Sequence, residues 1–263
     1  MQELNKYIFV VDTSDRRGDF LLIGLRGKGF EAVEYGADTE YSNDRVYVFL
    51  FAPRFVPSLP VMSSIPDNSV IFVTGCQTKV RRNMEERGIV VYKYFDDAVL
   101  AADNAALTAE GAVAAIINNT DMGIFDMPIL ILGGGRVAKA MAMTLGSLGA
   151  KAHMVTRRKD ELSFAELLTG HAYHLSRLDE VLSGFAVVVN TIPSRILYKE
   201  RLEKLDYDSF VLDLASKPYG IDSNVADSLG IRYLIYSGVP GKTAPKAAAD
   251  AIQKSILARL NFS

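Results

Sequence analysis

The segment Met127–Ala138, Met-Pro-Ile-Leu-Ile-Leu-Gly-Gly-Gly-Arg-Val-Ala, constrains the fold of this chain more than any other. A continuous apolar run, Ile129–Leu132, meets Gly133, Gly134 and Gly135 without a break, and a small-residue helical pattern, Val137–Leu148, then runs to Gly149. In the arrangement G-x-G-x-x-A, Gly133 lets the chain turn tightly and Gly135 leaves room for a pyrophosphate to approach the backbone. Ala138 lets the helix lie close on the strand. The helix start offers unpaired N–H groups and a positive dipole end to phosphates. A glycine triplet alone says little; a strand before it and a helix after it give it meaning. Gly133, Gly134, Gly135, Arg136 and Val137 are therefore expected to cradle the pyrophosphate of a dinucleotide.

The end of the next strand, Ala152–Thr156, reads which dinucleotide. An acid about 20 residues beyond the glycines binds the ribose 2′-hydroxyl of NAD, whereas a basic residue accommodates the 2′-phosphate of NADP. Here Thr156 is followed by Arg157, Arg158 and Lys159, with no acid before Asp160. A hydroxyl and two guanidiniums suit a phosphate dianion. The expectation is NADP(H) held by Thr156, Arg157 and Arg158, with NAD also admissible.

Short apolar runs alternate with helical patterns along the whole chain, which predicts parallel βα units and an α/β fold. In the first half the expected strands are Tyr7–Val11, Ala32–Glu34, Val46–Phe51, Val70–Thr74 and Val90–Tyr92, with a short helix at Leu21–Lys28. Ala52–Pro66 contains four prolines and is expected to be an irregular connection. An alanine-rich helix is expected over 97–119, with Leu107, Ala114, Ala115 and Ile117 on its buried side. Later strands are expected at Ala186–Thr191, Phe210–Leu214 and Tyr233–Tyr236, and helical pieces at Phe164–Leu168 and Leu178–Leu182. Pro245–Leu260 places Ile252, Ile256, Leu257 and Leu260 on one face, with Pro245 in the first turn where a missing N–H costs nothing.

These patterns predict a smaller N-terminal α/β domain of flavodoxin-like type over 1–103 and a connecting helix over 104–121. A Rossmann-type doubly wound parallel sheet is expected over 122–244. The C-terminal helix, 245–262, is expected to cross back onto the first domain.

Bulk properties narrow the function classes. A chain of 263 residues with formal net charge −2 has no field that draws it to nucleic acid or anionic lipid. Its one cysteine, Cys76, cannot form an intrachain disulfide and fits a reducing compartment. The short apolar run near the N-terminus is neither a span nor a secretory signal. The expectation is a soluble cytoplasmic protein, without nucleic-acid or membrane partners, whose apolar faces point to a homo-oligomer. No residues have metal-ligand spacing.

In open α/β sheets the ligand lies beyond the carboxyl ends of the strands. Asn190, Thr191, Ile192 and Pro193 end one strand and are expected near the nicotinamide ribose. Asp213, Leu214 and Ala215 end the next and are expected beside the nicotinamide. Of the three histidines, His153 lies in a strand and His171 and His174 in a connection, away from strand ends. This makes His–carboxylate catalysis of the hydroxyacid-dehydrogenase kind unexpected.

Three later segments sharpen this. Val-Asn-Thr-Ile-Pro-Ser (189–194), Leu-Asp-Leu-Ala-Ser-Lys-Pro-Tyr-Gly (212–220) and Gly-Val-Pro-Gly-Lys-Thr-Ala-Pro-Lys (238–246) follow the glycine turn in order. Together they resemble the dipicolinate synthase A-subunit family, with its NTIPS, LDLAS-K/R-P-x-G and G-x-PG-x-x-APK segments. Asn104–Gly111 resembles that family's N-S-x-P-T-x-E-G, with Leu107 in place of proline. The likeness covers about 104–258 and is thin before it. There the family's Gly-Gly-Asp-x-Arg turn is set against Asp12–Arg16, keeping Arg16.

The resemblance implies an NAD(P)-linked oxidoreductase of endospore-forming bacteria, active in sporulation. It would convert a dihydrodipicolinate-type cyclic dicarboxylate to dipicolinate, and its partner would be a flavoprotein-like B-subunit. A dicarboxylate calls for cations and hydroxyls. Ser194, Lys217 and Lys246 are the catalytic candidates, and Arg16, Lys242 and Thr243 would bind substrate while Glu110 orients a cation. Oxidation that makes an aromatic pyridine needs little beyond positioning and proton removal. A shikimate-dehydrogenase-like NADP reductase is one alternative, although residues 1–103 show no catalytic Lys–Asp pair of that kind; the altered Asp12–Arg16 turn and the missing acid–base residue keep a non-catalytic nucleotide-binding partner protein open as another.

Overall fold

The apolar runs form two wholly parallel sheets. The structure, a computed structural model, describes residues 6–36, 41–42 and 44–262. It divides into two compact units, Met1–Asn104 with Ala244–Ser263, and Ala105–Thr243.

The first unit runs β1 (Tyr7–Val11), α1 (Arg16–Gly27), β2 (Glu31–Glu34), β3 (Val46–Leu50), α2 (Leu59–Ser63), β4 (Val70–Val73), α3 (Thr78–Glu86) and β5 (Val90–Lys93). Its strand order is β2-β1-β3-β4-β5, the flavodoxin-like order. Side chains alternate between two buried faces, Phe9, Val11, Leu50 and Phe72 on one and Val10, Phe49, Ile71 and Val73 on the other. A strand covered on both sides reads as a continuous apolar run.

α1 starts five residues before the expected Leu21 because Asp15 caps it, accepting the Arg17 N–H at 3.0 Å. The proline-rich connection is not wholly irregular; α2 forms within it, with proline in its first turn. α3 has only Val80 and Met84 buried, too weak a periodicity to read from sequence.

The 22-residue α4 (Ala98–Asn119) holds the division between the units. It is long and apolar enough to span a membrane by length and composition, yet half of that apolar window is buried inside the protein. The buried stripe differs from the expected one. Ala115 is buried as expected and Leu107 partly so, but Ala105, Ala109, Ala112, Val113 and Ile116 also face inward, while Ala114 and Ile117 are exposed. Alanine spacing alone does not settle the phase of a helix in which nearly every face is apolar.

The second unit continues β6 (Pro128–Leu132), α5 (Arg136–Ser147), β7 (Lys151–Thr156), α6 (Lys159–Thr169), β8 (Ala172–His174), α7 (Leu178–Val181), β9 (Val187–Asn190), α8 (Lys199–Leu202), β10 (Phe210–Asp213), α9 (Ser223–Leu229), β11 (Arg232–Ile235) and α10 (Val239–Thr243). The sheet order β11-β10-β9-β6-β7-β8 is the doubly wound Rossmann order seen from its far edge. β8 corrects the reading of His174 as part of a connection, while His171 stays in one. It pairs with β7 through Met154–Ala172 and Thr156–His174.

The last helix, α11 (Pro245–Arg259), returns to the first unit. Ala249, Ile252, Ile256 and Leu257 pack with Leu21 and Leu25 of α1 in one apolar cluster. Gly24 leaves the space that Gln253 fills.

Candidate functional site

Because the second sheet is wholly parallel, all six of its strands deliver their following segments to one edge. The register sets Leu132 beside Asn190, Asn190 beside Asp213 and Asp213 beside Ile235. Leu132 also pairs with Val155. The glycine turn, the basic turn and the loops after Asn190, Asp213 and Ile235 therefore all open on the carboxyl edge, where α/β sheets take their ligands.

The three glycines answer to different causes. Gly133 has φ 127° and a Cβ there would overlap the Thr191 hydroxyl. That hydroxyl and the Thr191 N–H both donate to the Leu132 carbonyl, at 2.8 and 2.9 Å. Gly134 is filled in by side chains, since a Cβ there would lie 2.5 Å from Thr156 Oγ1 and 2.6 Å from Glu161 Oε2. Gly135 has an ordinary φ of −75° and open space where its Cβ would be. It caps α5 without a side-chain acceptor, and the first turn of α5 carries no acid. Amide donors without a built-in acceptor, a positive dipole end and open space fit a pyrophosphate.

The basic turn is more committed than its sequence suggests. Thr156 is buried and gives its hydroxyl proton to Glu161 Oε2 at 2.7 Å, so it is not an open phosphate donor. Arg158 is bound to Asp160 through Nε at 3.0 Å and a terminal nitrogen at 2.5 Å. Arg157 is exposed, and its guanidinium has no partner among the described residues. Its carbonyl oxygen lies 3.0 Å from His174 Nε2. His174 Nδ1 accepts the Ser176 N–H at 3.3 Å, so the neutral ring carries its proton on Nε2 and donates to Arg157. His174 thus ends a strand at the carboxyl edge, contrary to expectation. A three-residue strand gave no pattern by which to place it.

Asn190 and Asp213 were expected to face the cofactor, but both side chains are fully buried. Asn190 Nδ2 donates to Asp213 Oδ1 at 2.8 Å. The carboxylate also accepts from Ala215 N at 3.1 Å, Gly220 N at 2.6 Å and Ile221 N at 2.9 Å. Asn190 holds the Ile192 N–H at 3.1 Å through its own oxygen. The pair therefore shapes two loops from beneath. Leu214 and Ala215 are buried too, while Thr191 and Ile192 are partly exposed and Pro193 is exposed.

The remaining candidates separate. Ser194 and Lys217 are exposed on carboxyl-edge loops. Lys242 lies 4.5 Å from the Tyr236 ring centre, as a cation over an aromatic face. Thr243 is not a free hydroxyl donor; it bonds the Val239 carbonyl at 3.0 Å, and Gly111 makes room for it. Glu110 is exposed and orients no cation among the described residues. Lys246 belongs to the first unit rather than the nucleotide unit, and is paired with Asp250 at 2.9 Å.

Arg16 is exposed, and the buried cation is its neighbour Arg17, bidentate to Asp15 at 2.8 and 2.6 Å. Burial would raise the Asp15 carboxyl, but the Arg17 hydrogen bonds outweigh it and hold the group below its ordinary range. Burial pushes the Cys76 thiol up, which makes it a poor nucleophile.

Two parallel sheets of flavodoxin-like and Rossmann order, the second with an uncapped glycine turn on its carboxyl edge, define an α/β fold of the Rossmann dehydrogenase type. The likeness drawn from the motifs is borne out. The chain is 33% identical over 168 residues to the dipicolinate synthase A-subunit of Bacillus subtilis, covering 64% of this chain and 56% of that protein. It thus spans little more than half the length of that curated relative. The crystal structure of the dipicolinate synthase A-subunit from Bacillus halodurans has the same fold, with a TM-score of 0.81 at 24% identity over 97% of each chain. The D-lactate dehydrogenase of Escherichia coli shares it more distantly, with a TM-score of 0.63 at 14% identity over 97% of this chain and 96% of that one. No family model matches the chain.

Proposed function

We propose that this protein is an NADP(H)-linked oxidoreductase of the dipicolinate synthase A-subunit type, acting on a cyclic dicarboxylate. The observation that carries the reading is the carboxyl edge of the second unit, where the open Gly135 turn, the Arg157 guanidinium, without a partner among the described residues, and the NTIPS and LDLASKP loops stand together. The sequence likeness to the Bacillus subtilis protein supports this choice of chemistry.

Gly133–Val137 hold the pyrophosphate through backbone N–H groups, and Arg157 meets the 2′-phosphate. The buried Asn190–Asp213 pair holds the loops that carry Thr191, Ile192, Pro193 and Lys217. The dinucleotide held there would supply the two-electron acceptor for aromatisation of the dihydropyridine ring. The second hydrogen leaves the ring as a proton to water. Lys217 and Lys242 offer cations to the substrate carboxylates, and Ser194 offers a hydroxyl. Residues that only orient substrate suffice for a step driven by aromatisation. The protein works as a soluble homo-oligomer, and its partner is a flavoprotein-like B-subunit.

The test is to supply dihydrodipicolinate and NADP⁺ to the purified chain, alone and with the flavoprotein-like partner, and to follow NADPH and dipicolinate together. Equal amounts of both products support the proposal. NADPH binding without turnover in either case would instead indicate a nucleotide-binding protein without catalytic power.

A further inference from the structure

We infer that Glu161 reads the adenosine ribose of the dinucleotide, so that the chain accepts NAD(H) as well as NADP(H). The inference rests on the dinucleotide reading of the Gly133–Val137 turn and deepens it. Rossmann units that take NAD place a carboxylate where the second strand ends, beside the glycine turn, to accept a ribose hydroxyl. Here the strand ends in Thr156-Arg157-Arg158, and no acid occupies that position.

The fold brings a carboxylate to the same corner from the first turn of α6. Glu161 Oε2 takes the Thr156 hydroxyl proton at 2.7 Å and lies against Gly134, where a Cβ would come within 2.6 Å of it. The side chain keeps 23% of its surface exposed. Its other oxygen, Oε1, is 3.9 Å from Arg158 Nε, too far for a hydrogen bond and near enough for charge compensation. Oε1 therefore retains acceptor capacity on a side chain anchored by a buried threonine.

The corner thus carries an anchored acceptor suited to a ribose hydroxyl and, in Arg157, a guanidinium with no partner among the described residues, suited to a 2′-phosphate. Arg158, engaged by Asp160, adds less than its sequence position suggests. A carboxylate near a phosphate dianion also limits how strongly NADP(H) can be preferred.

The experiment is fluorescence titration of the full chain with NADPH and with NADH, for the wild type, Glu161→Gln and Glu161→Asp. Glutamine keeps an oxygen for Thr156, and thermal melts verify that each variant is folded. The expected result is that Glu161→Gln weakens NADH about tenfold while NADPH binding holds or tightens. Glu161→Asp should restore part of the NADH affinity. An unchanged ratio of the two affinities in folded Glu161→Gln overturns the inference and leaves the dinucleotide reading intact. A wild-type chain that binds neither cofactor overturns both.

Discussion

The side-chain amide of Asn190 donates to the carboxylate of Asp213 at 2.8 Å, with both side chains fully buried at the ends of adjacent parallel strands. Gly220 closes over this pair, since a Cβ there would overlap Asn190. The carboxylate gathers the N–H groups of Ala215, Gly220 and Ile221, turning the segment after β10 back on itself. Both loops that carry the candidate cofactor and substrate contacts therefore hang from one buried charge. An ionised buried group is tolerable when every lone pair has a donor, as here.

Removing that charge is expected to damage stability and ligand binding together. Asp213→Ala leaves buried donors on Asn190, Ala215, Gly220 and Ile221 without an acceptor, a loss of about 3 kcal/mol. Asp213→Asn should cost nearly as much, because its amide nitrogen would face N–H donors. Urea midpoints measure the loss, and variants as stable as the wild type would refute the role.

The glycine turn predicts a separation of stability from binding. Gly133→Ala places a Cβ at φ 127° against the Thr191 hydroxyl, so it should lower stability by about 2 kcal/mol or more. Gly135→Ala meets no neighbour at an ordinary φ and should fold as well as the wild type. It should nevertheless lose most dinucleotide affinity, because the methyl group enters the space left for pyrophosphate. Thermal melts and NADPH titration of the two variants measure both halves of the contrast.

Much of this architecture was legible before the structure. Strands such as Phe210–Asp213 are buried on both faces and so leave unbroken apolar runs, and the glycine turn sits where strand gives way to helix. β8 and α3 were not legible, because three residues of edge strand and a helix with two buried side chains carry almost no periodic signal. Polar residues at strand ends posed a different difficulty. Asn190 and Asp213 have the composition of ligand contacts, and only their mutual hydrogen bond shows that they serve the loops. Arg16 and Arg17 differ by one position, and only the phase of α1 shows which guanidinium is buried. Glu161 lies beyond the position where the fingerprint expects an acid, and the first turn of α6 carries it back to the glycines.

A pH dependence follows from the stacked rings of His153 and His171, whose centres are 4.5 Å apart. Burial, and then the adjacent His171, push the His153 pKa below its ordinary value. At neutral pH the ring is uncharged in folded and unfolded chains alike and contributes no pH dependence. As pH falls below about 6.5 the unfolded chain takes up a proton that the fold resists, so stability declines. Melting temperatures between about pH 7 and pH 5 should drop for the wild type and drop less for His153→Phe. Parallel slopes for the two proteins would exclude His153 as the source.

Arg157 and Arg158 are neighbours in sequence, yet they should not contribute equally to NADPH binding. Arg158 already spends two donors on Asp160, whereas the Arg157 guanidinium has no partner among the described residues and its backbone is pinned by His174. Arg157→Gln is expected to weaken NADPH by about ten- to a hundredfold, the worth of a charge-assisted hydrogen bond, while NADH changes little. Arg158→Gln should have a smaller effect, because it also releases Asp160 into the same corner. Titrating both cofactors against both variants decides the matter. If Arg157→Gln weakens NADPH and NADH by the same factor, the guanidinium does not read the 2′-phosphate.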